Sequence, residues 1–268
     1  MTGRGSEADG PAGPRDAAVD IGNSGLHLSL GPFSRVGGEP VSRRFDPDDA
    51  TSAAEMMVGR VDRVAVASVS TPIRDRFAAA LAKVAAEINV VDVTRHHLPT
   101  RVDVDDPNAV GIDRLVAGFG AWTLAGRRPV MVVDSGSAVT ADFVDRDGTF
   151  CGGAIFPGLA MQSRALAGGT DRLFEVGFNA ADPPLPARNT ADAIAAGILT
   201  TAAAGLERIR QRYVELAGDE GLAVVVTGGD AARIAAGLRC DRQRMLSAPD
   251  LVTNTLLELV EAIPAVSP

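Results

Sequence analysis

Two short loops of the sequence combine an aspartate with small residues in a pattern that suits phosphate binding. Residues 19–24 read Val-Asp-Ile-Gly-Asn-Ser, and residues 133–138 read Val-Asp-Ser-Gly-Ser-Ala. A tight turn of small residues exposes successive backbone N–H groups, which form a nest for anionic oxygens. An aspartate on the preceding strand can hold Mg²⁺, because this ion takes oxygen ligands and keeps part of its water shell. The pattern therefore indicates two candidate phosphate loops, one at Asp20 and one at Asp134.

The repetition of the loop decides between two interpretations. Either loop alone fits an ordinary hairpin turn, in which the aspartate only satisfies nearby backbone groups. As a pair, each loop ends one hydrophobic strand and leads into another, which predicts two similar halves with a cleft between them. Phosphate binding is then the better interpretation, with Asn23, Ser24 and Ser137 as side-chain donors.

Two further segments could complete a site for a nucleotide and a small substrate. Gly228 and Gly229 follow an apolar run, and adjacent glycines at the end of a strand let adenine or ribose lie against the backbone. Residues 111–114 read Gly-Ile-Asp-Arg, so Asp113 could accept a proton from a hydroxyl while Arg114 binds an anionic group. Alone, the first segment also fits a plain strand-to-helix turn, and the second an exposed ion pair.

The composition excludes several other mechanisms. Of the 26 Lys and Arg residues only Lys83 is a lysine, and no glycine loop of a Walker-type phosphate site precedes it. The 2 cysteines lie far apart and cannot supply the four ligands of a structural zinc site. A net charge of −8 argues against nucleic acid or an anionic membrane as partner. Since no signal peptide and no apolar run of about 18 residues is recognisable, we expect a cytoplasmic α/β protein.

Alternating strands and helices position these segments. Strands are predicted at 17–21, 26–30, 61–68, 130–133, 139–144, 149–156 and 224–226. Helices are predicted at 71–86, 108–125, 190–216 and 249–262, with a shorter one from residue 159. Residues 1–16 carry Gly, Pro and charge without periodicity, which predicts a disordered tail. The two domains are predicted at 17–126 and 127–268.

Taken in order, these motifs resemble those of the type III pantothenate kinase family. The resemblance rests on residues 20–24, 111–114, 134–140, 152–158, 189–190 and 227–229, and it covers residues 17–262. The family belongs to the superfamily of acetate and sugar kinases, heat-shock ATPases and actin. The resemblance therefore implies an α/β fold of two tandem ribonuclease H-like domains, the actin-like ATPase fold, with an interdomain nucleotide cleft. It also implies ATP-dependent phosphorylation of pantothenate, the first step of coenzyme A biosynthesis.

The resemblance further implies a role for each matched residue. Asp113 would be the general base, and the residues that contact pantothenate would be Gly111, Ile112, Asp113, Arg114 and Thr190. ATP and its phosphates would be bound by Asp20, Gly22, Asn23, Ser24, Gly136, Ser137, Thr140, Gly228 and Gly229. Asp20 would hold Mg²⁺, and Asp134 would hold a monovalent cation, K⁺ or NH₄⁺. Thr190 would reach the substrate site of a partner subunit, which implies a homodimer.

The sequence departs from the family pattern at a position that bears on the substrate. Where the family has a tyrosine that touches pantothenate, this chain has Val104, which cannot donate a hydrogen bond. The departure keeps a second hypothesis open, a nucleotide-binding regulatory protein of the Bvg accessory factor type without turnover. A third is another small-molecule kinase of the superfamily. The presence of Asp113 favours the active pantothenate kinase, because a protein without turnover does not need that carboxylate.

Overall fold

The computed structural model describes residues 15–31, 41–178, 183–218, 221–238, 240 and 243–263. The chain forms two compact units. The first ends at Val93 and takes in the chain again from Leu256, and the second comprises Thr94–Thr255. The two units are defined by contacts within the fold. The domains predicted at 17–126 and 127–268 were placed from the repeated loops, and their bounds stay a prediction. Of the predicted tail, residues 1–14 lie outside the described residues.

A five-stranded sheet forms the centre of the first unit. Its strands are β1 (Asp16–Gly22), β2 (Gly25–Leu30), β3 (Val41–Phe45), β4 (Arg63–Ser68) and β5 (Asn89–Asp92), in the order β3-β2-β1-β4-β5. Neighbours among β1, β2 and β3 are antiparallel, whereas β4 joins β1 in parallel and β5 joins β4 in parallel. Strand β1 begins inside the segment predicted as a tail, because Asp16 forms an ion pair with Arg63, with Oδ1 and Nε 2.8 Å apart.

Two helices accompany this sheet, α1 (Ala50–Glu55) and α2 (Thr71–Val84). Pro72 suits the first turn of α2, because proline lacks the N–H that a first turn leaves unpaired. The buried side chains of α2 recur at the three- and four-residue spacing of an amphipathic helix: Ile73, Phe77, Ala80 and Leu81. Lys83 lies in the last turn of α2 and is exposed.

The second unit repeats the strand arrangement of the first. Its strands are β6 (Val130–Ser135), β7 (Ala138–Val144), β8 (Phe150–Pro157), β9 (Ala223–Thr227) and β10 (Met245–Ser247), in the order β8-β7-β6-β9-β10. Again the first three strands form an antiparallel meander, and the fourth and fifth extend it in parallel. In each unit a candidate phosphate loop connects the first two strands. The duplication predicted from the two loops is therefore confirmed.

The second sheet carries helices on both faces. The α-helices that follow β5 along the chain are α3 (Ile112–Leu124), α4 (Leu159–Gly168), α5 (Thr190–Ala217), α6 (Ala231–Gly237) and α7 (Leu251–Ala262), and α7 contains Leu256, from which the chain belongs to the first unit. Met131 and Val133 of β6 pack in one core with Leu206 of α5 and Ile234 of α6. Side chains alternate along a strand, so the other residues of β6 and β7 face α3, which contacts both strands.

Two differences from the predicted elements have local causes. Helix α3 begins at Ile112 rather than at residue 108, because the Asn108 N–H donates to the Asp106 carboxylate in a turn and Gly111 occupies the N-cap. Strands β3, β5 and β10 were not predicted: β3 is a mostly exposed edge strand, and the other two are short. Among the residues that the structure describes, no helix is long and apolar enough to cross a membrane.

Candidate active site

The second candidate phosphate loop lies at the carboxyl end of β6. Asp134 is half-buried near the end of this strand, and Gly136 and Ser137 form the turn to β7. The turn is narrow, since the Gly136 N–H donates to the Ala138 carbonyl at 3.0 Å. The Gly158 N–H donates to the Ser137 carbonyl at 3.0 Å and joins the loop to the start of α4. The chain therefore forms the tight turn of small residues that a phosphate nest requires.

Gly228 packs directly against this loop. It follows β9 and has a φ of 93°, a region that residues with side chains rarely adopt. A Cβ at Gly228 would lie 2.5 Å from Oδ1 of Asp134 and 2.4 Å from the carbonyl oxygen of Ser135. The Asp230 N–H, two residues further on, donates to the same carbonyl at 3.1 Å. The structure thus brings together the Gly228-Gly229 turn and the Asp134 loop, which the sequence assigned to one nucleotide.

The first candidate phosphate loop belongs to the other unit. Asp20 is half-buried on β1, opposite His27 of β2, and Asn23 and Ser24 are exposed in the turn after Gly22. Asp134 has the matching position on β6, opposite Thr140 of β7. The two aspartates therefore occupy corresponding places in two sheets of the same strand order.

Asp113 and Arg114 lie in the first turn of α3, behind Gly111 at the N-cap. The Asp113 carboxylate accepts a hydrogen bond from the backbone N–H of Arg114 at 2.8 Å. Burial raises the pKa of Asp113, although the hydrogen bond and the positive charge of Arg114 oppose the shift. A carboxylate with a raised pKa is a stronger base once it is ionised, and a half-buried site keeps it within reach of a substrate.

The ion pair of Arg114 differs from the one considered in the sequence. Its guanidinium binds Asp142 of β7 rather than the neighbouring Asp113: Nε donates to Oδ2 at 3.1 Å and Nη2 donates to Oδ1. Asp142 is 1% exposed, and the guanidinium also lies over the ring of Phe150, 5.5 Å from its centroid. The interpretation of an exposed Asp113–Arg114 pair is therefore wrong.

Asp142 is the site residue that sequence analysis missed. Burial raises the pKa of its carboxyl, and the ion pair with Arg114 opposes that shift. The sequence does contain one signal for it, an aspartate within a strand of mostly apolar residues. A buried charge almost always has a partner, so this aspartate indicates an ion pair or a hydrogen-bonded site.

Thr190 belongs to a different part of the second unit. It is exposed as the first residue of α5, whose N-terminus is capped by Asn189: Oδ1 accepts a hydrogen bond from the Asp192 N–H at 2.9 Å. Thr190 lines a cavity of about 470 Å³ together with Leu166 of α4 and Ile194 of α5. It therefore lies on an α4–α5 surface and not in the Asp113–Arg114–Asp142 cluster.

Val104 lies beside β8, the strand that carries Phe150. The Asp103 N–H donates to the Phe150 carbonyl at 2.9 Å, which aligns this segment with the strand. Cγ1 of Val104 is 3.4 Å from the point that a Cβ on Gly152 would occupy. Gly152 lies two residues after Phe150 on β8, and the ring of Phe150 contacts Arg114.

Each of the two loops, taken separately, offers a single carboxylate of the kind that binds a metal ion carried by a nucleotide. No group of three or more His, Cys, Asp and Glu side chains that could hold a metal occurs among the residues described. Magnesium at a nucleotide typically takes one or two carboxylates and completes its shell with phosphate oxygens and water. Single carboxylates such as Asp20 and Asp134 match that requirement.

The repeated sheets define the class of protein: two tandem ribonuclease H-like domains, the actin-like ATPase fold. A solved structure from Campylobacter jejuni, described as a Baf family transcriptional activator candidate, has a similar fold, with a TM-score of 0.56 at 19% identity over 93% of this chain and 100% of that one. The family model of type III pantothenate kinase matches residues 18–212. The chain belongs to the type III pantothenate kinase family.

Curated relatives agree with this assignment. A type III pantothenate kinase of Porphyromonas gingivalis strain ATCC 33277 is 34% identical over 250 residues, which cover 91% of this chain and 96% of the relative. One of Rhodopirellula baltica is 39% identical over 179 residues, which cover 65% of this chain and 62% of the relative.

Proposed function

We propose that this chain transfers the terminal phosphoryl group of ATP to the hydroxyl group of pantothenate, yielding 4′-phosphopantothenate and starting coenzyme A biosynthesis. The observation that carries the proposal is the half-buried Asp113, whose pKa is raised by burial, beside an arginine held by Asp142. In phosphoryl transfer the protein mainly positions the reactants, neutralises their charge and supplies a base. Membership of the family supports pantothenate as the substrate.

In the proposed reaction Asp113 accepts the proton of the attacking hydroxyl. Gly111, Ile112 and Arg114 bind pantothenate, whose carboxylate suits a guanidinium. Among the residues described, Nε and Nη2 of Arg114 are taken by Asp142, so Nη1 is the nitrogen that remains for the substrate. Asp113 therefore activates the hydroxyl group of pantothenate, and Arg114 orients the substrate through its carboxylate.

The nucleotide would be held by three glycine-containing turns. Gly22, Asn23 and Ser24 would bind phosphate in one unit, and Gly136, Ser137 and Thr140 in the other. Gly228 and Gly229 would accommodate adenosine. A chain with a single lysine can bind phosphate in this way, because backbone N–H groups and hydroxyls replace the lysine of a Walker-type loop.

Two cations complete the proposal. Asp20 would hold Mg²⁺, which neutralises phosphate charge when it is bound with ATP. Asp134 would hold K⁺ or NH₄⁺ next to the second loop. Both assignments agree with single half-buried carboxylates at corresponding strand ends.

A homodimer is part of the same proposal, with Thr190 near the substrate site of the partner subunit. The cavity that Thr190 lines also carries apolar side chains, among them Leu173 and Leu166, and Leu166 of α4 is 37% exposed. Apolar side chains clustered at a surface are typical of a protein interface. Sedimentation equilibrium of the purified chain would give twice the monomer mass of 27.6 kDa if the proposal is right.

The decisive experiment measures ADP release with ATP, Mg²⁺ and K⁺ or NH₄⁺, with and without pantothenate. We expect ADP release that depends on pantothenate and falls by about 10²- to 10⁴-fold in Asp113→Asn, the contribution typical of a general base, while ATP still binds. Asp147→Asn, which removes a carboxylate from an exposed turn, is the matched control and should leave the rate unchanged.

The other outcomes point to the alternatives. ATP binding without turnover under every cation would refute the kinase and favour a regulatory protein. Turnover that ignores pantothenate but responds to a sugar or to acetate would favour another kinase of the superfamily.

A further inference from the structure

Asp142 is a buried carboxylate to which the reaction proposed above assigns no step. It lies 28 residues from Arg114 along the chain, yet both of its oxygens accept hydrogen bonds from that guanidinium. Two such parallel bonds fix the plane of the guanidinium as well as its position. A buried ion pair contributes little stability against an apolar replacement, so geometry is the better reason for its presence.

The surroundings leave the Asp142 carboxylate one orientation. A Cβ on Gly153 of the neighbouring β8 would lie 2.2 Å from Oδ1 of Asp142, so the bare backbone of β8 covers this oxygen. Thr140 lies two residues before Asp142 on the same face of β7, and its hydroxyl opposes the rise in the pKa of that carboxyl. On the other side, Phe150 supports the guanidinium of Arg114. The carboxylate and the guanidinium are therefore both held from more than one direction.

The pair also sets the charge that Asp113 experiences. Arg114 on α3 and Asp142 on β7 carry opposite charges, which cancel at a short distance. The third titratable group is Tyr213 of α5, whose hydroxyl donates to the Ala141 carbonyl at 2.8 Å and whose pKa is raised to about 12, chiefly by burial. The phenol of Tyr213 is neutral at neutral pH and adds no charge of its own. The charged groups beside Asp113 are therefore Arg114 and Asp142, and their charges sum to zero.

We propose that Asp142 is a positioning residue: it fixes the Arg114 guanidinium so that Nη1 binds the carboxylate of the substrate, and it balances the Arg114 charge beside Asp113. The inference rests on the proposed function. Asp142 acts on the substrate through Arg114, and its own charge acts on Asp113, so it affects substrate affinity and pH dependence in ways that a purely structural residue would not.

The first test compares Asp142→Asn with the wild type. We expect the KM for pantothenate to rise by about 10- to 100-fold, the range of a lost charge-assisted hydrogen bond, while the KM for ATP stays the same. The unbalanced Arg114 charge lowers the pKa of Asp113, and a base must be ionised to act, so the acid limb of kcat moves to lower pH. Asp147→Asn, with the same change of charge in an exposed turn, should alter neither quantity.

The second test asks whether Asp142 acts through Arg114. In an Arg114→Gln background, Asp142→Asn should cause no further rise in the KM for pantothenate, because there is no guanidinium left to orient. The double variant removes both buried charges and leaves neither one unpaired, so it should fold even if Asp142→Asn alone does not. The KM of the double variant can then still be compared with that of Arg114→Gln.

The outcomes separate this inference from the proposed function. Pantothenate-dependent ADP release by the wild type supports the function whatever the variants do. An unchanged KM and acid limb in Asp142→Asn, or a full further rise of KM in the Arg114→Gln background, would overturn the role of Asp142 alone. A wild type without pantothenate-dependent turnover would overturn both.

Discussion

Replacing Gly228 by alanine tests the contact on which the second half of the nucleotide site depends. The new Cβ would lie 2.4 Å from the Ser135 carbonyl oxygen and 2.5 Å from Oδ1 of Asp134, so the turn must move by about 1 Å to reach an ordinary contact. The backbone also has a φ of 93°, which strains any residue with a side chain. Strain of this kind costs about 1–3 kcal/mol, and overpacking costs about 1–3 kcal/mol more.

The expected result is a large loss of stability from one methyl group. A total of about 2–6 kcal/mol corresponds to a fall in Tm of roughly 4–24 °C at about 2–4 °C per kcal/mol for a chain of this size. The measurement is thermal unfolding of the nucleotide-free protein, followed by circular dichroism or by calorimetry.

Gly229→Ala is the matched control for stability. A Cβ at that exposed neighbour would meet nothing within 4 Å, and its backbone needs no unusual φ. Its free energy of unfolding should stay within about 0.5 kcal/mol of the wild type. Equal Tm values for Gly228→Ala and Gly229→Ala would show that Gly228 does not pack against the Asp134 loop as described, and the reasoning would fail.

Two further predictions test packing in the second unit and the substrate contact. Gly120→Ala should lower the free energy of unfolding by about 1–3 kcal/mol, because its Cβ would lie 1.9 Å from Oγ1 of the buried Thr255. Adding Thr255→Ala removes that oxygen, so chemical denaturation of the double variant should show a higher free energy of unfolding than Gly120→Ala alone. A double variant as unstable as Gly120→Ala would contradict the clash. Val104→Tyr should lower the KM for pantothenate by about 2- to 10-fold, the value of one neutral hydrogen bond, in the ADP release assay. Val104→Phe supplies the ring without the hydroxyl, and an equal effect in both variants would argue against a hydrogen bond.

The sequence allowed the repeated architecture to be predicted because its signals are local. Each loop follows a continuous apolar run, and runs such as residues 130–133 and 224–226 become the buried strands β6 and β9. Small residues at the strand ends then identify the turns.

The part of the site that could not be predicted depends on contacts between distant residues. The bond between Arg114 and Asp142 spans 28 positions, and no spacing rule relates a helix residue to a strand two elements later. An ion pair between neighbouring Asp113 and Arg114 was therefore one open alternative, while tertiary packing gives Arg114 a different partner. Strand β3 was missed for a similar reason, since its polar sequence is strand-like only when paired with β2.

The exposed Lys83 at the end of α2 gives this chain an unusual practical property. It is the single lysine of the sequence, so amine-reactive reagents have one side-chain target, on a helix of the first unit that carries none of the proposed substrate residues. A fluorophore or a surface linker can therefore be attached at one defined side chain, with only the α-amino group competing. The same scarcity restricts acetylation of side-chain amines in a cell to this position.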